Sequence, residues 1–149
     1  MTTRGFEFHG SLDGSTPVIR DFTAGVAAAH KVGDAVLIQA DGYVDQVTGD
    51  IDEVTGVVME AKAAADITAG TTKIKVALVT NHQIWRCSMD DTTTTGVIGY
   101  TKTMDLADTN TVDADDITNG SLTLYDTGTD DDGNVLGYFI FSDCTFTNA

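Results

Sequence analysis

The chain has 149 residues, 42% of them hydrophobic, and a formal net charge of −15. That length sets one domain as the expectation and can bury most of its apolar surface without metal or disulfide staples. So acidic a body repels nucleic-acid phosphates, which excludes direct DNA or RNA binding from the expected functions, and a protein partner has to be locally basic or avoid the acidic loops.

Residues 1–16 stand apart. Arg4, Phe6 and Phe8 alternate with Gly5 and Glu7, so this part reads as extended, and Gly10–Thr16 (GSLDGST) as a turn-rich linker. Two readings compete for the segment: an edge strand of the main body, or a separable arm that adds to a neighbouring chain by β-augmentation. The chain's only proline, Pro17, opens PVIRDF, a short strand candidate. Thr23–His30 (TAGVAAAH) is small and apolar, a loop or a single helical turn. Val36–Ala40 and Tyr43–Val47 flank Asp41-Gly42, the strongest hairpin signal in the chain. Val54–Met59 follows as a strand. Glu60–Ile67 (EAKAAADI) is the best helix candidate, although too short to stand without tertiary support.

Ala69-Gly70 turns the chain into Thr72–Val79, where Ile74, Val76 and Leu78 share a face. In Gln83–Met89, Trp85, Cys87 and Met89 fall on one face and Ile84, Arg86 and Ser88 on the other. Trp85 reads as a core anchor, because buried aromatics carry packing. Asp90–Thr95 is a polar turn, Val97–Thr103 a strand, and Asp105–Asn119 the longest irregular polar stretch. Leu122–Tyr125 and Val135–Phe141 form a closing hairpin around an Asp-rich tip. TGVVME at Thr55–Glu60 echoes TGVIGY at Thr95–Tyr100, too briefly for a solenoid or propeller.

The abundance of Thr, Asp and Gly agrees with this series of strands and turns. The expected fold is all-β: a small antiparallel barrel or sandwich with an extended N-terminal arm and at most one short helix. Residues 1–16 form the arm and linker, and residues 17–149 a single β-rich domain. The opening MTTRGFEFHG has no apolar core of signal-peptide length. No stretch approaches the roughly 20 apolar residues of a membrane span. Synthesis in a cytoplasm, with no membrane partner, is therefore the expectation.

Signals for chemistry are sparse. His9, His30 and His82 are scattered, and no serine sits in a nucleophile elbow. Phosphate-loop and dinucleotide fingerprints do not occur. Cys87 and Cys144 lack the spacing for zinc and read as two buried thiols, a disulfide being the alternative if two strands bring them together. The tip Asp126–Asn134 (DTGTDDDGN) is oxygen-rich as calcium requires, but Val135 and Phe141 stand where an EF-hand loop needs Gly and Glu. A solvated hairpin tip turning at Asp132-Gly133 is the simpler reading, and the same holds for Asp113, Asp115 and Asp116. The chain is not expected to be an enzyme or to hold a cofactor.

The order of blocks is more telling than any one of them. KVGDAV, a short strand, a DGYV hairpin, TGVVMEA, KIKVAL and then an aromatic strand resemble capsid decoration (cement) proteins of tailed bacteriophages. The opening TTRGFEFHGSLDGSTPVIRDF is similar to the N-terminal region of such proteins. The resemblance spans roughly residues 1–90 and leaves the later part unassigned. It implies a structural virion protein on the outer surface of the head that ties neighbouring major capsid protein subunits together. It also implies a homo-oligomer, with a trimer favoured over a dimer. An extended N-terminal segment would make the shell contact: Thr2, Thr3, Arg4, Gly5, Phe6, Glu7 and Phe8, with Arg4, Phe6 and Phe8 as anchors. Two other classes compete. One is a different virion part, such as a tail-tube, head-completion or fibre-base domain. The other is a calcium- or carbohydrate-binding β-module using Tyr100, Tyr125 and Tyr138.

Overall fold

A computed structural model describes residues 5–47, 53–89, 105–113 and 120–146. Within them the chain is all-β and sandwich-like, with two sheets and a single 3-10 turn. The expected strand Val97–Thr103, the Asp90–Thr95 turn before it, and Asp115 and Asp116 lie outside the described residues.

One sheet is built from a continuous stretch of sequence. Its strands are β2 (Ile19–Thr23), β3 (Ala35–Ile38), β4 (Val44–Gln46), β5 (Gly56–Val58) and β6 (Lys73–Leu78), in the order β2-β6-β5-β3-β4, all antiparallel. The Asp41-Gly42 turn joins β3 to β4 as the sequence predicts. Gly42 adopts φ 86°, its N–H donates to Gln39 O at 2.9 Å, and Asp41 Oδ1 accepts the Tyr43 N–H.

Alternation then sorts this sheet's side chains onto two buried faces. Ala35, Val57 and Ala77 lie in one cross-strand row facing the other sheet. Val36, Val44, Val58, Ile74, Val76 and Phe22 form a second cluster on the opposite face. The sheet curls to cover that second cluster. Ala24 bridges Val44 in parallel, and the Gly25 N–H donates to Val44 O, so the two edge strands meet at one point. One bridge does not close a barrel, and of the two expected architectures the sandwich is the one observed.

The other sheet gathers distant parts of the chain. Its strands are β1 (Glu7–Ser11), β7 (Gln83–Met89), β8 (Asp105–Asp108), β9 (Thr111–Asp113), β10 (Leu122–Thr129) and β11 (Val135–Phe141). The path is β10-β11-β7-β9-β8, with β1 paired to the other end of the β7 edge that β9 uses. Pairing is antiparallel except between β7 and β9. The inward side chains are those the sequence predicts from period two: Trp85, Cys87 and Met89, joined by Leu122, Leu124, Phe139 and Phe141. Each large apolar side chain buried here contributes about 1.5–3 kcal/mol relative to exposure.

Three expectations need correction. Glu60–Ile67 is not an α-helix; only Ala64–Asp66 makes a 3-10 turn, with no side-chain cap at Ala63. Lys62 is instead bridged to His30, and so short a segment cannot repay helix nucleation by itself. The Asp105–Asn119 stretch is not irregular throughout, since β8 and β9 form a short hairpin anchored by buried Leu106 and Val112. The segment Gly5–Ser11 is not a separable arm. It is an edge strand, and Phe6 is 2% exposed in the main core with its ring centroid 5.0 Å from that of Phe141.

The C-terminal end fastens the two sheets together. Val54 N–H donates to Asp143 O and Thr145 N–H to Val54 O, both at 3.1 Å. Buried Thr55 Oγ1 accepts the Ile38 N–H at 2.8 Å and meets Thr145 Oγ1 at 2.7 Å. Satisfying this polar group inside the body fixes where Thr145 lies. It also sets Phe146, the final described residue, beside the junction of the sheets.

Candidate interaction surface

The segment nominated for capsid contact, Thr2 to Phe8, divides in the structure. Thr2, Thr3 and Arg4 lie outside the described residues. Gly5 packs backbone to backbone on Gly33, where an added Cβ would sit 2.8 Å from Gly33 O. Phe6 is spent on the core and is closed to any partner. Glu7 pairs with Arg86, and that hydrogen bond holds the guanidinium above its ordinary pKa. Phe8 is 37% exposed and meets Trp85 edge-on at 5.6 Å, so it alone of the two phenylalanines presents surface.

On the outer face of this sheet, register aligns Asp126, Tyr138, Arg86 and Glu7 across four strands. His9 stacks edge-on against Tyr138 at 4.7 Å. Tyr138 is therefore engaged within the sheet, Tyr125 is exposed, and Tyr100 lies outside the described residues.

A groove opens where the linker after β1, the β6–β7 connection and the C-terminal end converge. Its volume is about 250 Å³, and it is lined by Ser15, Thr16 and Val18, by Leu78, Thr80 and Gln83, and by Phe146. The floor is held by Gln83, whose Oε1 accepts the Thr80 N–H and the Trp85 Nε1–H. Thr80 Oγ1 is buried with no hydrogen-bond partner among the described residues. The apolar lining faces solvent at Val18, which is 64% exposed, and at Phe146, which is exposed as well. Ahead of the linker, the Leu12 N–H donates to His82 O at 2.7 Å. The linker is shaped by Asp13, whose Oδ1 accepts both the N–H and the hydroxyl of Ser15; those bonds lower its pKa.

Sequence reasoning did not find this groove. Its parts are sixty or more residues apart, and the only local signals are the bare Val18-Ile19 pair after Pro17 and a Phe in the polar tail TFTNA.

Other nominated sites resolve into structure. Cys87 and Cys144 are buried and are not joined by a disulfide. Burial pushes the Cys87 thiol well up and the Cys144 thiol up to about 12, so both are protonated and unreactive at neutral pH. At the acidic tip, Asp130 Oδ1 accepts the N–H groups of Asp132 and Asn134, and Oδ2 accepts Asn134 Nδ2 at 2.7 Å. That carboxylate caps the hairpin turn. Among the described residues, no group of three or more His, Cys, Asp and Glu side chains is arranged to hold a metal ion. No described helix is long and apolar enough to cross a membrane.

Comparison with protein-family models, curated proteins and solved structures found no match to this chain.

Proposed function

We propose that the protein is a structural virion component that decorates the outside of a tailed-phage head and cements neighbouring major capsid protein subunits. The observation that carries this reading is the apolar groove and its exposed rim on a chain of net charge −15. Contiguous exposed aliphatic side chains rimmed by polar groups mark protein docking. An acidic body elsewhere keeps decorated particles apart in solution. The resemblance in block order supports the same reading, since KVGDAV, DGYV, TGVVMEA and KIKVAL supply β3 to β6 of one sheet.

In this reading the shell contact is made by the groove rim and Phe8. Phe6 and Glu7 hold the contact strand in place. Many weak contacts repeated over a lattice give high avidity, so a small groove suffices. The expected assembly is a homotrimer on the outer capsid surface. Quantitative mass spectrometry of purified particles tests the proposal. Abundance near that of the major shell protein supports it. A handful of copies per particle points to a tail or vertex component, and absence from particles overturns it.

A further inference from the structure

His30 is 2% exposed, and among the described residues neither Nδ1 nor Nε2 has a hydrogen-bond partner. Its backbone is fully committed: the N–H donates to Lys62 O and the C=O accepts the Lys62 N–H, both at 2.9 Å. The Thr23–Ala35 connection is also fastened at its two ends, where Gly25 N–H donates to Val44 O and Gly33 O accepts the Phe6 N–H, both at 2.9 Å. It is fastened closer to the ring as well. Gly33 N–H donates to Val58 O at 2.9 Å, and Gln46 Nε2 donates to Ala29 O at 2.8 Å.

The charged groups facing the ring come from three sides. Asp34 lies in the turn after it, with Oδ2 accepting the Lys31 N–H and Gln46 Nε2, and Oδ1 accepting Asn110 Nδ2 at 3.4 Å. Asp45 comes from β4, and its buried Oδ1 has no hydrogen-bond partner among the described residues. The bridged segment brings Lys62, whose Nζ is held by Glu60 at 3.3 Å. Asp34 and Asp45 favour a charged imidazole, but burial opposes it more strongly and sets the ring's pKa below its ordinary value of 6.5.

We propose that the His30 corner is an acid-sensitive latch, in which protonation of the buried ring releases the His30–Lys62 bridge and loosens the chain around His30, between the fastened Gly25 and Gly33. A buried cation without hydrogen bonds is costly, and the nearest remedy is for the ring to reach water. In the latch, opening of the two backbone bonds between His30 and Lys62 is the route by which the ring reaches water. An open, solvated ring binds protons from about 6.5 downward, whereas the closed one does so only at lower pH. The latch therefore weakens as pH falls through 6.5 and levels off below the closed-state value.

A magnetic-resonance titration of the full chain, from about pH 7.5 to about 5, tests this by following the His30 ring and the exchange of the His30 and Lys62 amides. Corrected for intrinsic exchange, opening at these amides rises on the order of tenfold relative to the amides of β6. The ring titrates below 6.5, and His30→Leu removes the rise. A ring titrating at or above 6.5, or equal acid opening in His30→Leu and the wild type, overturns the latch. Should His30→Leu fail to fold, Asp45→Asn decides. Losing a carboxylate that favours the cation lowers the ring's midpoint further and enlarges the acid opening, and an unchanged or raised midpoint refutes the proposal.

Discussion

The two sheets of this protein are assembled by opposite means. The five-stranded sheet comes from one run of sequence, Ile19–Leu78, with turns that announce themselves and β-branched side chains on both faces. The six-stranded sheet joins the first strand, the middle of the chain and its end, and its core is aromatic: Phe6, Trp85, Phe139 and Phe141. The first sheet is held by many small, local contacts, whereas the second depends on a few large side chains brought together across the chain. The groove lies at the seam between them, which explains why it draws on residues from β1's linker through to Phe146.

That contrast can be broken most severely at Phe6. Phe6→Ala removes a fully buried ring on which both Phe141 and the β1–β7 pairing lean, and a loss of about 3–5 kcal/mol by chemical denaturation is expected. A loss under about 1 kcal/mol would mean that the first strand is after all peripheral. Gly33→Ala attacks the point where the sheets touch backbone to backbone. Gly33 sits at φ 97°, and a Cβ there would lie 2.8 Å from Gly5 Cα, so a cost of about 1–3 kcal/mol is expected from strain and displacement of β1.

In the local sheet the same kind of test gives less. Ile74→Val trims one methylene from a cluster of neighbouring valines, for about 0.5–1.5 kcal/mol in the same denaturation assay. Val18→Asp, at a side chain 64% exposed, shifts stability by no more than about 0.5 kcal/mol yet places a charge on the groove rim and abolishes particle binding in a sedimentation assay. Full binding by Val18→Asp would move the contact surface elsewhere.

How much of this was legible in the sequence follows the same division. Asp41-Gly42, the shared face of Ile74 and Val76, and the buried face of Trp85, Cys87 and Met89 could be read directly, because each depends on neighbours within a few residues. The β1–β7 pairing could not, since nothing near Phe6 says that its partner strand begins at Gln83. The alternation of Phe6 and Phe8 predicts an extended segment equally well for a free arm and for an edge strand, and only the packing on Phe141 decides between them. The short strands β8 and β9 were hidden because Asp and Thr surround just two buried anchors, Leu106 and Val112. His30 gave no warning either. Its burial follows from the return of β4 and the Lys62 bridge, while its own stretch, TAGVAAAH, has no periodicity.

The central claim, that this chain is a lattice component on the outside of a phage head with the groove turned toward the shell, is tested most directly by a cryo-electron reconstruction of purified particles. The account predicts density for the two-sheet body at repeated outer positions, with Val18 and Phe146 against the major capsid protein. Density for this body only in the tail, or on the head with the groove facing solvent, would contradict it.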